Sequence, residues 1–452
     1  MRPLKFSGIY AGIIAVCLSS EFASAQVQDP LTDSQAAPVV YTPTTSTLTM
    51  EMAFEAAEIY NPRIQAAQQR HAISKTDIRL ARTGHLPVID ATASYGYLYQ
   101  DNKFTLAPES NISGQTSNLG LGLRQPLYNG NRVKNAIKGA TANASAAEAR
   151  IAAERQQIYL EVATAYLDVQ RDISILRLTT ESLETLEEQL RANEKRYEFK
   201  DTSLTDVARS RSAVATARTQ IATARASFAV SRAVFFRLTG LPGERLADVS
   251  SVPDLPNTVE AALIRALDDN ASVAAARLTL EASEFAVKEA KGQRLPSVSF
   301  NSSVNRGRRP ENFGIFSDDR TTTALSANVS LTVPIFQADQ EFGNIKRAKQ
   351  IRGLREIEVT QALRDVRDNI TITWDRLQAT EAALSFHNDA VVAAESAAEG
   401  TRKIYRSGLV SAIDLTETER ILLQTKTARE RAKHEYHVIA YQLLALTNGI
   451  SL

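Results

Sequence analysis

The sequence states nearly the same pattern twice, with matching positions 208 or 209 residues apart from one end to the other. Asn61 with Leu86-Pro87 answers to Asn270 with Leu295-Pro296, and Gln125-Pro126-Leu127-Tyr128 answers to Val333-Pro334-Ile335-Phe336. Tyr166 falls on Trp374. Tyr197 and the run Ser203-Leu204-Thr205-Asp206-Val207 fall on Tyr405 and Ser411-Ala412-Ile413-Asp414-Leu415, and Leu238-Thr239 falls on Leu446-Thr447. A duplication that keeps register over this length implies one architectural unit built twice, here an internal two-fold repeat with halves at 48–256 and 257–452.

The first residues set the compartment. Met1-Arg2-Pro3-Leu4-Lys5, an apolar stretch from Ile9 to Leu18 and Ala23-Ser24-Ala25 form the charged, apolar and cleavage regions of a secretory signal peptide over 1–25. Its apolar part, roughly ten residues, is too short to span a bilayer as an anchor. The sole cysteine, Cys17, lies inside it, so the mature chain has no thiol chemistry. Residues 26–47, rich in Thr, Ser, Pro and Ala without periodicity, read as an extended leader. Lys and Arg total 52 against 51 Asp and Glu, so no global field recruits nucleic acid, and none is expected as a partner. After residue 25 no stretch approaches the apolar length of a membrane helix, whereas a β-barrel barely registers on a hydropathy scale.

Within each half the pattern predicts helix, strand, strand, very long helix, break, helix. The helices are expected over 48–84, 131–198 and 203–239, and again over 257–293, 339–406 and 411–447. Ile158, Val162, Ala165, Val169, Ile173, Leu176, Leu183, Leu186 and Leu190 step by three and four, the seam of a coiled coil. Leu363, Val366, Ile370, Trp374, Leu377 and Leu384 repeat it. Without internal proline, a helix of this size is a rod of roughly 100 Å at 1.5 Å per residue. Small residues such as Ala142, Ala144, Ala146, Ala147 and Ala149 let neighbouring helices approach closely.

The proline-marked segments change the period to two. Strands are expected near 87–100, 118–128, 296–305 and 324–336. Ile89, Ala91, Ala93, Tyr95, Tyr97 and Tyr99 alternate with Asp90, Thr92, Ser94 and Gly96; Leu119, Leu121 and Leu123 alternate with Gly120, Gly122 and Arg124. Val298, Phe300 and Val304, then Leu325, Ala327, Val329, Leu331 and Val333, continue the theme. Such alternation fits a half-buried soluble sheet and a transmembrane barrel equally. The count separates them: one chain offers four strands, the smallest membrane barrels use eight, and an open edge in lipid leaves backbone groups unpaired. A barrel therefore requires further copies, and three would supply twelve strands.

These segments in duplicate, the proline junctions and the Tyr405, Gly408, Asp414 pattern resemble the TolC family of outer-membrane channels over essentially the whole mature chain. The resemblance implies a mainly α fold with a transmembrane β part: a long α-helical coiled-coil barrel forming a periplasmic tunnel, and a 12-stranded barrel shared by a homotrimer in outer-membrane lipid. It also implies a periplasmic adaptor and an inner-membrane transporter of RND or ABC type as partners. Function would then be an exit duct for drugs and other toxic small molecules, or for secreted proteins; both cargoes stay open. The alternative is a periplasmic coiled-coil structural or adaptor protein without its own pore.

In that family the tunnel closes at its periplasmic tip. Carried over, Thr205 and Asp206 match the first-repeat turn, Tyr405 matches the tyrosine pairing with it, Asp414 matches an acidic ring position, and Glu417 stands where a second aspartate is expected. Val410 replaces an arginine and Lys200 a turn glycine, so a latch bond would be missing or supplied by Lys200, Arg402 or Arg406. Three copies of Asp414 and Glu417 around a narrow lumen should raise each other's pKa and favour cations. Asp206 and Asp414 also lie where they could simply cap the next helices. His434 and His437 share a helix face, without a third metal ligand. Arg306, Arg308 and Arg309 suit a solvated outer loop or contact with anionic lipid. No Ser-His-Asp set, phosphate loop or metal-spaced cluster occurs, so neither enzyme chemistry nor a cofactor is expected.

Overall fold

A computed structural model describes residues 47–102, 110–249, 255–313, 316–407 and 409–450. The expected signal peptide, the leader up to residue 46, and Gly408 lie outside the described residues. The chain runs α1 (Met50–Tyr60), α2 (Pro62–Thr83), β1 (Val88–Asn102), β2 (Ser110–Asn129), α3 (Arg132–Glu198) and α4 (Leu204–Thr239). It then repeats that order with α5 (Val259–Asp269), α6 (Ala271–Gly292), β3 (Ser297–Phe313), β4 (Phe316–Thr332), α7 (Gln340–Arg406) and α8 (Ala412–Leu446).

The single helices expected over 48–84 and 257–293 are each two helices. Asn61 leaves the helical region at φ −75°, ψ 119°, and its side chain accepts from the Arg63 N–H at 3.0 Å, with Pro62 starting the next helix. Proline suits that first position because its missing N–H would have no helical partner there anyway. Asn270 does the same without proline, accepting from Ser272 and Val273. The two long helices match expectation: α3 and α7 have 67 residues each, roughly 100 Å of rod. Among the described residues, no helix is long and apolar enough to cross a membrane.

The four strands form one antiparallel sheet in the order β1-β2-β3-β4. Strand β2 begins at Ser110 and β3 runs on to Phe313, both well beyond their alternating segments, whereas β4 stops at Thr332, just before Pro334, which has no N–H for a ladder. Register aligns Ala91, Leu121, Val304 and Leu325 across all four strands, and Phe300 with Val329 and Val298 with Leu331. One face is therefore apolar, and Leu119, Leu121, Val304, Leu325, Val329 and Leu331 on it are exposed. The opposite face is polar: Ser299 bonds Ser330 at 2.8 Å and Ser303 bonds Ser326 at 2.9 Å. Among the described residues β1 and β4 each pair on one side only.

The core lies where the short helices meet the long ones. Phe54 packs on Tyr159 with centroids 5.0 Å apart, and fully buried Tyr166 meets Phe235 edge-on at 6.0 Å. The Tyr166 hydroxyl donates to the carbonyls of Leu48 and Ala247 at 2.8 Å each, satisfying a polar atom inside apolar packing. A second cluster joins Ala262, Ala266 and Val273 to Ile370, Ile439 and Leu443. Ile158, Val162, Ala165 and Val169 from the predicted seam are all buried.

Candidate gate at the hairpin tips

Two helical hairpins end in turns of the same design. After α3, Lys200 N–H donates to Tyr197 and Asp201 N–H to Arg196, a reciprocal closure of the helix end with Lys200 in the left-handed region at φ 65°. A lysine there accepts a backbone conformation that glycine adopts freely. After α7, Leu409 N–H donates back to Ile404.

The next helices start with matching capping boxes. Ser203 accepts from Asp206 N–H at 3.1 Å and donates to the Asp206 carboxylate at 2.6 Å; Ser411 and Asp414 do so at 3.3 and 2.7 Å. The N-cap role thus belongs to the serines, with Asp206 and Asp414 as the reciprocal partners three residues on. The Ser203 hydrogen bond holds the Asp206 carboxyl below the usual range, and Ser411 does the same for Asp414. Glu417, one turn on from Asp414, is also lowered, by its bonds to Arg420. Within one chain these groups shift downward, opposite to the rise expected of a crowded ring, because serine donors and Arg420 are the nearest partners. Thr205 and Asp414 are exposed at the tips.

The expected pairing of Tyr405 with the first turn is replaced by another. The Tyr405 hydroxyl donates to Asn193 Oδ1 at 2.6 Å, while Asn193 Nδ2 donates to Ser210 Oγ at 2.7 Å. Asn193 is 2 % exposed, and the Arg196 guanidinium sits 5.5 Å from the Tyr405 ring centre. One buried amide therefore ties α3, α4 and α7 together. A second clamp joins α7 to α8: Arg402 Nε and Nη2 meet the two oxygens of buried Glu419 at 2.5 and 2.7 Å. Of the alternative latch residues, Arg402 is the one so engaged. Its counterpart rung in the first hairpin, Arg211 with Glu194 at 2.8 Å, has the charges exchanged and is largely exposed.

Sequence spacing had a usable signal for Asn193. It follows Leu183, Leu186 and Leu190 by the same steps of three and four, so it is a polar residue in the coiled-coil seam. Glu419 lies likewise between buried Leu415 and Leu422.

Among the described residues no group of three or more candidate metal ligands forms around His434 and His437. His434 Nε2 lies 2.8 Å from Asp168, which Arg171 also holds at 2.6 Å. His437 is 4 % exposed with Nδ1 unpaired, and burial, then Lys433 and His434, push its pKa from 6.5 down to about 4 against an opposing pull from Asp248. The unfolded chain therefore takes up this proton between about pH 6.5 and 4 while the folded chain does not, so stability drops as pH falls through that window. Relative to a His437→Leu variant, wild type should lose about 3 kcal/mol of unfolding free energy between those limits. Parallel pH profiles for the two proteins would contradict this.

The family model described as "Outer membrane efflux protein" matches residues 54–241 and 262–449. The chain belongs to this family. As an outer membrane efflux protein it resides in the outer membrane, and the resemblance to TolC-family channels is borne out. It is 24 % identical over 336 residues to the outer membrane efflux protein BepC of Brucella suis, covering 74 % of this chain and 73 % of that one. Identity to the outer membrane protein TolC of Escherichia coli is 22 %, over 88 % of this chain and 84 % of its relative. Among solved structures, the Campylobacter jejuni CmeC outer membrane channel superposes with a TM-score of 0.75 at 15 % identity, covering 91 % of this chain and 90 % of the other. The outer membrane protein VceC of Vibrio cholerae gives 0.72 at 20 % identity over 88 % and 96 %. These likenesses confirm a mostly helical fold with a four-stranded sheet shared with outer-membrane channels.

Proposed function

We propose that three copies of this outer membrane efflux protein close their sheets into one twelve-stranded barrel, and that the helices continue it as a periplasmic tunnel. The observation that carries this reading is the open-edged sheet. It has one exposed apolar face and, among the described residues, an unpaired edge at β1 and another at β4, and its strands β2 and β4 lead into two 67-residue helices. In hydrocarbon each unpaired backbone group costs several kcal/mol, so the edges call for identical neighbours. The duct would receive drugs and other toxic small molecules, and secreted proteins where the pump supplies them, from an inner-membrane transporter of RND or ABC type through a periplasmic adaptor.

Thr205, Asp206, Tyr405, Asp414 and Glu417 form the proposed gate at the tips. The Tyr405–Asn193 bond supports a latch inside each protomer that holds the second hairpin against the first. The exposed carboxylates of Asp414 and Glu417 support a cation-preferring entrance. Adaptor docking opens the gate by separating the hairpins.

Single-channel current in planar bilayers tests both parts. Wild type should give small, cation-selective steps, and Asp414→Ala should lower cation preference about two- to fivefold, the effect of one charge per copy in a narrow pore. Absence of steps from folded, inserted protein would remove the duct. Unchanged selectivity in the variant would remove Asp414 from the gate.

A further inference from the structure

On the apolar face of the sheet the side chains change character along a single line. The row Ala91, Leu121, Val304, Leu325 is wholly apolar; the next, farther from the helices, is Ala93, Leu119, Arg306, Thr323; the one beyond is Tyr95, Ser117, Arg308, Thr321. Two arginines thus stand on the face that meets lipid, at the level where its hydrocarbon character ends. Tyr95, Tyr97 and Tyr99 flank them on β1, each about 70 % exposed.

The placement has a physical reading. An arginine on the lipid face costs about 2–4 kcal/mol at the bilayer midplane and close to nothing at the interface, so position alone sets these two at the outer boundary. There the long side chains extend outward to the headgroups while their stems remain in hydrocarbon, and tyrosines are the usual residues of that level. A guanidinium offers two parallel N–H donors that match a phosphate. Arg308 is partly neutralised by Asp319 beside it, whereas Arg306 has no ion-pair partner among the described residues; its row neighbours are Leu119 and Thr323. Arg309 turns to the opposite face, across from Arg320, and takes no part.

We infer that Arg306 and Arg308, with the Tyr95 to Tyr99 ladder, form a binding site for the phosphate groups of an anionic lipid in the outer leaflet. This rests on the barrel reading given under Proposed function. The site would hold one such lipid against each protomer and fix how deeply the barrel sits.

The test uses the full protein in phosphatidylcholine nanodiscs doped with a minor fraction of lipid A, or of the same lipid stripped of its phosphates, with bound lipid counted by mass spectrometry. Wild type should concentrate the phosphorylated lipid above its bulk share and ignore the stripped one. Arg306→Gln, which breaks no ion pair, should lower retention about fivefold, the worth of one basic residue near an anionic surface, and adding Arg308→Gln should abolish it. Asp319→Asn, which removes the carboxylate beside Arg308, should raise retention. Equal retention by wild type and Arg306→Gln, or equal retention of the stripped lipid, would overturn the site while leaving the barrel intact. Failure of every variant, wild type included, to enter nanodiscs would overturn the barrel and the site together.

Discussion

Replacing Arg402 with alanine should destabilise the protein by about 2–3 kcal/mol per protomer, whereas Arg211→Ala, at the equivalent rung of the other hairpin, should cost less than about 1 kcal/mol. The two pairs have the same spacing and opposite polarity: Glu194 with Arg211, and Arg402 with Glu419. Burial separates them. The Glu419 side chain is 6 % exposed, against 38 % for Glu194, so only the second pair strands a carboxylate away from water when its partner is removed. A fully buried orphan would cost about 3–5 kcal/mol, and the 41 % exposure of Arg402 argues for the lower figure because water can follow the lost side chain. Substituting both members, Arg402→Leu with Glu419→Leu, should recover most of the loss, since a buried pair adds little over well-packed apolar groups. Thermal unfolding of the four proteins in detergent decides it. Equal losses at the two rungs would show that burial is not what distinguishes them.

How much of this was legible in the residues follows from where periodicity has something to act on. The long helices were readable because Ile158, Val162 and their successors must face a neighbour at every turn, and the sheet because its middle rows separate an apolar face from a polar one. Beyond those rows the signal vanishes. The outer half of β2, from Ser110 to Ser117, has Ile112 as its one large apolar residue, so no alternation marks it, and its pairing with Tyr95 to Asn102 is set by the neighbouring strand. Breaks at Asn61 and Asn270 were hidden for the opposite reason. The apolar period runs on across them; a capping asparagine marks each interruption, joined by Pro62 at the first and by nothing further at the second. At the tips the serine–aspartate boxes are local and readable. The Asn193–Tyr405 bond joins residues 212 apart in sequence, so spacing could flag Asn193 as out of place in its seam but could not name its partner.

Gly292→Ala should be among the most damaging single substitutions in the chain, at about 3 kcal/mol per protomer, although it exchanges one small residue for another in the last turn of a helix. A Cβ on Gly292 would stand 2.5 Å from the carbonyl oxygen of Gly130 and 2.8 Å from Cγ of Arg132. Real Cβ atoms essentially never come that close to another heavy atom. The contact is reciprocal, because a Cβ on Gly130 would meet the carbonyl oxygen of Gly292. Gly130 carries a second constraint, a φ of 64° that an L side chain adopts at roughly 1–2 kcal/mol, so Gly130→Ala should be at least as costly. Backbone meets backbone here, at the β2–α3 turn and the end of α6, where sheet passes into helix, and neither side can yield by rotating a side chain. Position within a helix does not explain the effect. Gly353, inside α7, has nothing within 4 Å of its would-be Cβ among the described residues, and alanine there should stabilise by up to about 1 kcal/mol through helix propensity alone. The same chemical change should therefore have opposite signs at the two sites in thermal unfolding. A loss at Gly353 as large as that at Gly292 would show that close backbone approach does not govern this junction.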